Sequence, residues 1–203
     1  LTLAATDSYR LAEKKLPLPS VKDITVIVPA KTVQELNRII HDSSDDVRIA
    51  ISKTEVLFEV GDVSLVSRLI EGKFPNYQQI IPTKSATSLT LKKSELMSIV
   101  KVASLFAREN SHTIKLNFTK VGLSISSKAS EVGENTSLVE GELTGEEAEI
   151  SVNAKYLADV LNILSTNEVF LGINDKLEPC MIRAINKGKV QLDYTHIIMP
   201  LRS

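Results

Sequence analysis

The feature that most constrains the fold is an internal repeat. Lys31, Lys93 and Lys155 lie at intervals of 62 residues, and each stands at the start of an apolar pattern with helical periodicity. A short run typical of a strand precedes each lysine, and alternating patterns follow each helix. The predicted unit is therefore one strand, one helix and about three more strands. Such units predict an α+β fold, with antiparallel sheets and the helices on one face.

The three copies have clear strand and turn signals. Breaks at 52–54, Gly61-Asp62 and Thr119-Lys120 predict hairpin turns between alternating runs. The predicted strand–helix segments are VIVPAKTVQELNRII (26–40), SLTLKKSELMSIVKVASLFA (88–107) and ISVNAKYLADVLNIL (150–164). The strands that follow them are predicted within 46–72, 112–143 and 168–200.

The opening segment LTLAATDSYRLAEKKLPLP (1–19) matches only the last part of a unit. It alternates as a half-buried strand does, turns at Thr6-Asp7-Ser8 and extends again. We therefore expect the chain to be a C-terminal fragment of a longer protein. The polar segment 82–87 resembles a joint. It predicts an incomplete domain at 1–82 and a complete one at 83–203.

Charge and cysteine content limit the classes of function. The 203 residues contain 24 Lys and Arg against 25 Asp and Glu, a net charge of −1. This balance argues against tight binding of nucleic acid by the whole surface, but is compatible with segregated basic and acidic faces. A single cysteine, Cys180, excludes an intramolecular disulfide and favours a cytoplasmic location. No apolar run is long enough to predict a membrane partner.

The predicted helices have two faces. On the second helix, an apolar stripe is expected to pack on a sheet, and it contains Leu96, Ile99, Val100, Ala103 and Phe106. The basic residues on other arcs are Lys31, Arg38, Lys93, Lys101, Arg108 and Lys155. They are either ordinary solvated positions or a repeated surface that faces nucleic-acid phosphates. The third helix supports the second interpretation least, because Lys155 shares its polar face with Asp159 and Asn162.

No specific catalytic or metal-binding motif is present, so the sequence predicts no catalytic residues, no metal and no cofactor. Cys180 lies in a predicted strand, where a buried structural cysteine is the favoured interpretation. A hydrolase that uses this thiol would need folding to bring it to one of three scattered histidines, His41, His112 or His196. The adjacent carboxylates at 45–46 and 146–147 are typical of solvated turns.

The C-terminal segment THIIMPLRS is strongly apolar. It is either the last strand of the core or part of an apolar groove for a partner's peptide. Met199 suits a groove because its flexible thioether adapts to different shapes.

Three motifs together resemble the bacterial sliding clamp, the beta subunit of DNA polymerase III. They are ATDSYRLA (5–12), EGKFPNY (71–77) and IIMPLR (197–202). The resemblance implies the later part of the middle domain followed by the third domain. It also implies a head-to-tail homodimeric ring, helices inside, that encircles double-stranded DNA without sequence preference. The implied partners are DNA polymerase III subunits, the clamp loader and other proteins with a clamp-binding motif.

The resemblance also implies an apolar pocket for partner peptides. Ser8, Tyr9 and Gln79 depart from residues found in some family members, which implies a different polar rim. The implied pocket residues are Thr6, Ser8, Tyr9, Arg10, Leu11, Pro75, Gln79, Ile80, Pro179, Ile197, Ile198, Met199, Pro200, Leu201 and Arg202. The alternative to a clamp is a repeat-built protein interaction module without a DNA role.

Overall fold

The structure is a computed structural model that describes residues 1–18, 23–41, 43–129 and 133–201. The chain divides into two compact units. The large unit contains the first 18 residues together with the chain from Tyr77 onward, and the small unit contains the segment between them. Each unit has its own apolar core.

The secondary structure consists of three helices, fourteen strands and short 3₁₀ turns within the described residues. The helices are α1 (Ala30–His41), α2 (Lys93–Phe106) and α3 (Ala154–Ile163). The strands before α2 are β1 (Thr2–Thr6), β2 (Arg10–Lys15), β3 (Val47–Ile51), β4 (Glu55–Val60), β5 (Val63–Arg68) and β6 (Thr87–Lys92). Those after α2 are β7 (Thr113–Thr119), β8 (Gly122–Ala129), β9 (Gly133–Thr144), β10 (Ala148–Asn153), β11 (Glu168–Ile173), β12 (Cys180–Asn186), β13 (Lys189–Val190) and β14 (Tyr194–Ile198).

The large unit is built on one antiparallel sheet. Its strand order is β1-β2-β14-β12-β11-β6-β9-β8-β7-β10, and β13 pairs with β12. The repeat predicted from the sequence is confirmed here. α2 lies between β6 and β7–β9, and α3 lies between β10 and the run β11, β12 and β14. The structure therefore has the predicted α+β character.

Alternation along the strands decides which sheet face forms the core. On β7, Ile114, Leu116 and Phe118 are fully buried, and the intervening residues are exposed or half-buried. On β8, Leu123 pairs with Phe118 and Ile125 pairs with Leu116, so apolar side chains meet across the strands. These buried side chains share one face of the sheet, and the helices pack on that face.

α2 and α3 contact each other and cover this apolar face. α2 buries Leu96, Val100 and Ala103, whereas Ile99 and Phe106, predicted for the same stripe, are half-buried. α3 buries Ala154, Leu157, Val160 and Leu161. Asn153 starts α3, because its side-chain oxygen accepts the backbone N–H groups of Lys155 (2.9 Å) and Tyr156 (3.4 Å).

The small unit packs α1 on the three-stranded sheet β3-β4-β5. Its buried core residues are Leu36, Val56, Phe58 and Val60. The predicted turns at 52–54 and at Gly61-Asp62 are confirmed. The predicted strand before α1 is wrong, since residues 23–29 lie outside any strand. Ile27 accepts a bond from the Ile70 N–H, but Pro29 has no N–H with which to extend a ladder.

The N-terminal hairpin β1–β2 is confirmed, and it belongs to the large sheet. Thr2 to Thr6 pair with Lys15 to Leu11, and β2 also pairs with β14. The first and last described parts of the chain are therefore neighbours in one sheet. The domain boundary at residues 82 and 83 stays a prediction.

Candidate functional site

A small apolar cluster lies where β2, β14 and β12 run side by side. Leu11 pairs with Ile197, and Ile197 pairs with Met181, so these three side chains project from the same sheet face. All three are almost fully buried. The half-buried apolar residues packed against them are Tyr77, Ile81, Phe170 and Met199. We call Leu11, Met181 and Ile197 the apolar floor of the candidate site.

The turn between β1 and β2 is fixed by its own hydrogen bonds. The Thr6 hydroxyl donates to the Arg10 carbonyl (2.8 Å), and one Asp7 carboxylate oxygen accepts the backbone N–H groups of Tyr9 (3.1 Å) and Arg10 (3.0 Å). Ser8 has a φ of 74°, which is left-handed. The turn therefore holds the exposed Tyr9 side chain on a defined backbone.

The Arg10 guanidinium connects this turn to α3. Its Nε donates to Asp7 (2.9 Å), one terminal nitrogen donates to Asp159 (2.5 Å), and it lies 4.5 Å from the centre of the Tyr156 ring. Burial acts to lower the pKa of Arg10, but the hydrogen bonds to Asp159 and Asp7 raise that pKa above its ordinary value. We call Asp7, Arg10, Tyr156 and Asp159 the Arg10 cluster.

The C-terminal segment after β14 is held at two points. The Met199 N–H donates to the Tyr9 carbonyl (2.8 Å), and the Leu201 N–H donates to the Ser151 carbonyl on β10 (2.8 Å). Met199 packs against the apolar floor. The segment therefore runs from the hairpin turn to the strand that leads into α3.

A short 3₁₀ helix, Tyr77–Ile80, carries two more predicted site residues, Gln79 and Ile80, and both are exposed. The Tyr77 hydroxyl donates to Glu13 (2.8 Å), a buried carboxylate on β2. Burial and the Glu13 carboxylate raise the pKa of Tyr77 to about 12. Glu13 lies on the same face as Leu11 because the two are two residues apart on β2.

The structure brings together most of the predicted pocket residues of the large unit, but not all. Ile198 is fully buried in the main core, on the opposite face from Ile197. Pro75 is exposed and belongs to the small unit. Arg202 lies outside the described residues. Pro179, Pro200 and Leu201 are half-buried.

The predicted site residues do not include Met181 of the apolar floor, Asp7, Tyr156 and Asp159 of the Arg10 cluster, or the neighbouring Glu13 and Tyr77. The alternation Leu11-Ala12-Glu13 was a usable signal for Glu13, because it places the carboxylate beside the apolar floor. Nothing local links Arg10 to Tyr156 or Asp159, since the sheet order alone brings α3 to the hairpin turn.

The predicted basic residues of the large unit differ in solvent exposure and in hydrogen bonding. Lys101, Arg108 and Lys155 are exposed, whereas Lys93 is half-buried and its Nζ donates to the Leu164 carbonyl (2.5 Å). The pKa of His112 is lowered by burial and further by the charges of Lys155 and Arg108. Basic side chains from α3 and from the turn after α2 thus converge near His112.

The small unit exposes the two basic residues predicted on α1. Lys31 is exposed, and Arg38 is exposed but paired with Glu35 one helical turn earlier (3.0 Å). An exposed pair of this kind contributes little to stability. It partly neutralises the charge that Arg38 presents.

Cys180 is buried on β12, as predicted, and burial raises its pKa to about 12. A thiol in this state is a poor nucleophile at neutral pH. His196 is also buried, and burial, with a contribution from Arg10, lowers its pKa to about 4. These two groups therefore do not supply the reactive thiolate that a Cys180 hydrolase needs.

Among the described residues, no group of three or more acidic, His or Cys side chains has the arrangement of a metal site. No described helix is long and apolar enough to cross a membrane.

Repeated strand–helix–strands units, with antiparallel strands and the helices on one face of the large sheet, define a repeat-built α+β fold. Two family models divide the chain between them. Residues 1–76 match the central domain of the DNA polymerase III beta subunit, and residues 78–202 match its C-terminal domain. The chain belongs to this family, the bacterial sliding clamps.

Individual relatives agree with this assignment. The beta sliding clamps of Bacillus subtilis (strain 168) and Staphylococcus aureus (strain Mu50 / ATCC 700699) are each 33% identical over 208 and 206 residues. These alignments cover 100% of the chain and 54% of each relative, so the chain spans about half their length.

Solved clamp structures have the same fold. The clamp from Bartonella birtlesii, bound to griselimycin, has a TM-score of 0.91 at 30% identity, covering 100% of this chain and 54% of that one. The clamp from Bacillus subtilis has a TM-score of 0.90 at 32% identity, covering 100% and 53%. The predicted family and fold are confirmed.

Proposed function

We propose that this chain forms part of a non-catalytic DNA sliding clamp, a ring that encircles duplex DNA and tethers the replicative polymerase and other replication and repair proteins. In this proposal residues 1–82 belong to the middle domain and residues 83–203 form the third domain. The full-length protein assembles as a head-to-tail homodimer in the cytoplasm. The observation that carries the proposal is the match of both parts of the chain to consecutive domains of the beta subunit.

The apolar floor is proposed to bind peptides of DNA polymerase III subunits, the clamp loader and other partners. Leu11, Met181 and Ile197 form the buried apolar base of the site, and the half-buried Met199 adds an adaptable side chain beside it. The exposed Tyr9, Gln79 and Ile80 supply a rim. An apolar floor with a few polar groups at its edge is the usual form of a peptide or small-ligand site.

The basic residues of the helices are proposed to face the DNA. Lys101, Arg108 and Lys155 in the large unit and Lys31 in the small unit are exposed and available to phosphates. Arg38 and Lys93 stay in this proposal with reduced roles, because each already has a partner. A few such contacts give weak attraction without sequence preference, which permits sliding.

A peptide titration tests the binding site directly. A fluorescent peptide with the clamp-binding motif of a polymerase subunit is expected to bind the chain saturably. Ile197→Ser is expected to weaken binding at least tenfold, because a buried apolar group of the floor is replaced by a hydroxyl. Ile150→Ser, the same change at a buried position of the main core, serves as the control for stability effects. Unchanged binding by Ile197→Ser would contradict the site.

Charge reversal in the full-length protein tests the DNA role. Lys101→Glu with Lys155→Glu is expected to reduce retention on circular DNA and stimulation of the polymerase at moderate salt. Lys176→Glu with Lys189→Glu, which changes two exposed lysines outside the helices, is the control with the same change in net charge. Equal retention by all three proteins would argue for an interaction module without a DNA role.

A further inference from the structure

A continuous series of contacts joins the C-terminal segment, β10, α3 and the Arg10 cluster. Met199 is bonded to Tyr9 in the hairpin turn, and Leu201 is bonded to Ser151 on β10. β10 ends at Asn153, whose side chain starts α3. From α3, Asp159 reaches back to Arg10, the residue next to Tyr9.

Arg10 is held by side chains of two elements, the hairpin turn and α3. Its guanidinium has two carboxylate partners, Asp7 within the turn and Asp159 on α3, and its central carbon lies over the Tyr156 ring, 4.5 Å from the ring centre. A cation–π contact together with two charge-assisted hydrogen bonds fixes a guanidinium better than one exposed ion pair does. The turn is thereby tied to α3 without a backbone connection.

We infer that Asp159 is a positioning residue for the partner-peptide site. It holds Arg10 against α3, and through Arg10 it fixes where the hairpin turn and the attached Met199–Leu201 segment lie relative to α3 at the edge of the apolar floor. Arg10 in turn acts mainly as an internal strut, since both its carboxylate partners belong to this chain. This inference rests on the proposed function, because it assigns a role within the same site.

The expected effect is on binding rather than on stability. The Asp159 side chain is 54% exposed and that of Arg10 is 30% exposed, so their pair contributes little to the free energy of unfolding. Peptide affinity should depend more strongly on this pair. If the Met199–Leu201 segment is already ordered, binding a peptide does not carry the entropic cost of ordering it. Removal of Asp159 should therefore loosen the edge while the fold persists.

The chain contains a matched control. Lys14 and Asp193 also join two elements of the large sheet by a 2.5 Å ion pair, and their side chains are 38% and 51% exposed. This pair lies at the other end of β2 from the hairpin turn and touches neither Arg10 nor the C-terminal segment. Asp193→Ala thus removes a similar carboxylate from the same unit.

Amide hydrogen exchange and peptide binding together test the inference. In Asp159→Ala, exchange at the Met199 and Leu201 amides is expected to accelerate, and the Kd for the peptide is expected to rise about threefold to tenfold. Asp159→Asn should give a smaller effect, and Asp159→Glu should restore part of the binding. Asp193→Ala should change neither readout.

Each contrary result has a definite meaning. Unchanged exchange in Asp159→Ala, or faster exchange with unchanged peptide affinity, would overturn the positioning role while leaving the peptide site intact. Absence of peptide binding by the unmodified chain would instead overturn the proposed function, and the positioning role with it. Equal effects of Asp159→Ala and Asp193→Ala would overturn the specific role of the Arg10 cluster.

Discussion

Ser8 shows how a single residue carries backbone strain at the edge of the site. Its φ of 74° places a side chain in the left-handed region, which costs an L-residue about 1–2 kcal/mol. The strain persists because Thr6, Asp7 and Arg10 bond around it. The conformation serves to present Tyr9 and to place its carbonyl for Met199.

Substitution at Ser8 tests this strain. We expect Ser8→Gly to raise the free energy of unfolding by about 0.5 kcal/mol, and Ser8→Val to lower it by about 1 kcal/mol or more. Thr136→Val, at an exposed position of strand β9, is the control and should be neutral or slightly stabilising. Urea unfolding measures all three, and a stabilising Ser8→Val would contradict the left-handed turn.

The burial of a second residue, His196, makes the stability of the fold depend on pH. Its ring is buried, and Nδ1 lies 3.1 Å from the Tyr194 hydroxyl. The folded pKa of about 4 lies below the ordinary value of 6.5, so the folded protein keeps this ring neutral where the unfolded chain is protonated. The stability that depends on the neutral ring is complete above pH 6.5 and is lost as pH falls towards 4.

We therefore expect His196→Asn to flatten the pH dependence of unfolding in this window. The loss attributable to the wild-type ring amounts to about 3 kcal/mol between pH 6.5 and 4, with a slope near 1.4 kcal/mol per pH unit at most. Urea unfolding at a series of pH values measures the difference between the two proteins. Parallel curves for wild type and His196→Asn would show that the ring does not titrate as described.

At the scale of elements, Asn153 combines two structural tasks at the start of α3. Its carbonyl oxygen accepts the Lys155 and Tyr156 N–H groups, and its amide donates to the Ser111 carbonyl (3.1 Å). α2 begins without such a side-chain bond at Lys92. α3 is therefore the helix whose start depends more strongly on one residue.

We expect Asn153→Ala to lower the free energy of unfolding of the large unit by about 1–2 kcal/mol, because it removes the cap and the bond to Ser111. Asn153→Asp is the matched variant, since it keeps the cap but replaces the amide donor to Ser111 with a carboxylate oxygen that can only accept. Its free energy of unfolding should fall by less than half as much as that of Asn153→Ala. Equal losses in both variants, measured by thermal unfolding, would show that the cap contributes nothing.

Much of the element pattern was predictable from sequence, and the exceptions have physical causes. The period-2 and period-3.6 patterns located β7, β8 and α2, because burial on one face leaves a local trace. The run before α1 has the same composition as a strand but forms none, since strand identity needs a partner and Pro29 provides no donor.

The candidate site was predictable only in part for a related reason. The motifs that resemble the family located the turn, the short helix and the C-terminal segment. The pair Arg10–Asp159 joins residues 149 positions apart, and nothing in either local sequence indicates the contact. Ile197 and Ile198 were both assigned to the pocket, but alternation along β14 sends them to opposite faces.

At the scale of the whole molecule, the two cores differ greatly in size. The described part of the small unit buries only Leu36, Val56, Phe58 and Val60 in its cluster, whereas the large unit buries a cluster that spans its sheet and both of its helices. Stability grows with buried apolar area, so the small unit should open at lower free energy than the large unit. Its backbone amides should consequently exchange faster.

Phe58→Ala tests whether the two cores are energetically separate. The substitution removes a large buried side chain and should lower the opening free energy of β3, β4 and β5 by about 3–5 kcal/mol, enough to unfold a marginal unit. Exchange of amides in β7, β8 and β12 should stay as in wild type, because Phe58 belongs to neither cluster of the large unit. Leu116→Ala is the reciprocal variant and should act on the large unit. Hydrogen exchange followed by mass spectrometry resolves both sets of strands, and equal acceleration across all of them in Phe58→Ala would mean that the chain unfolds as one cooperative body.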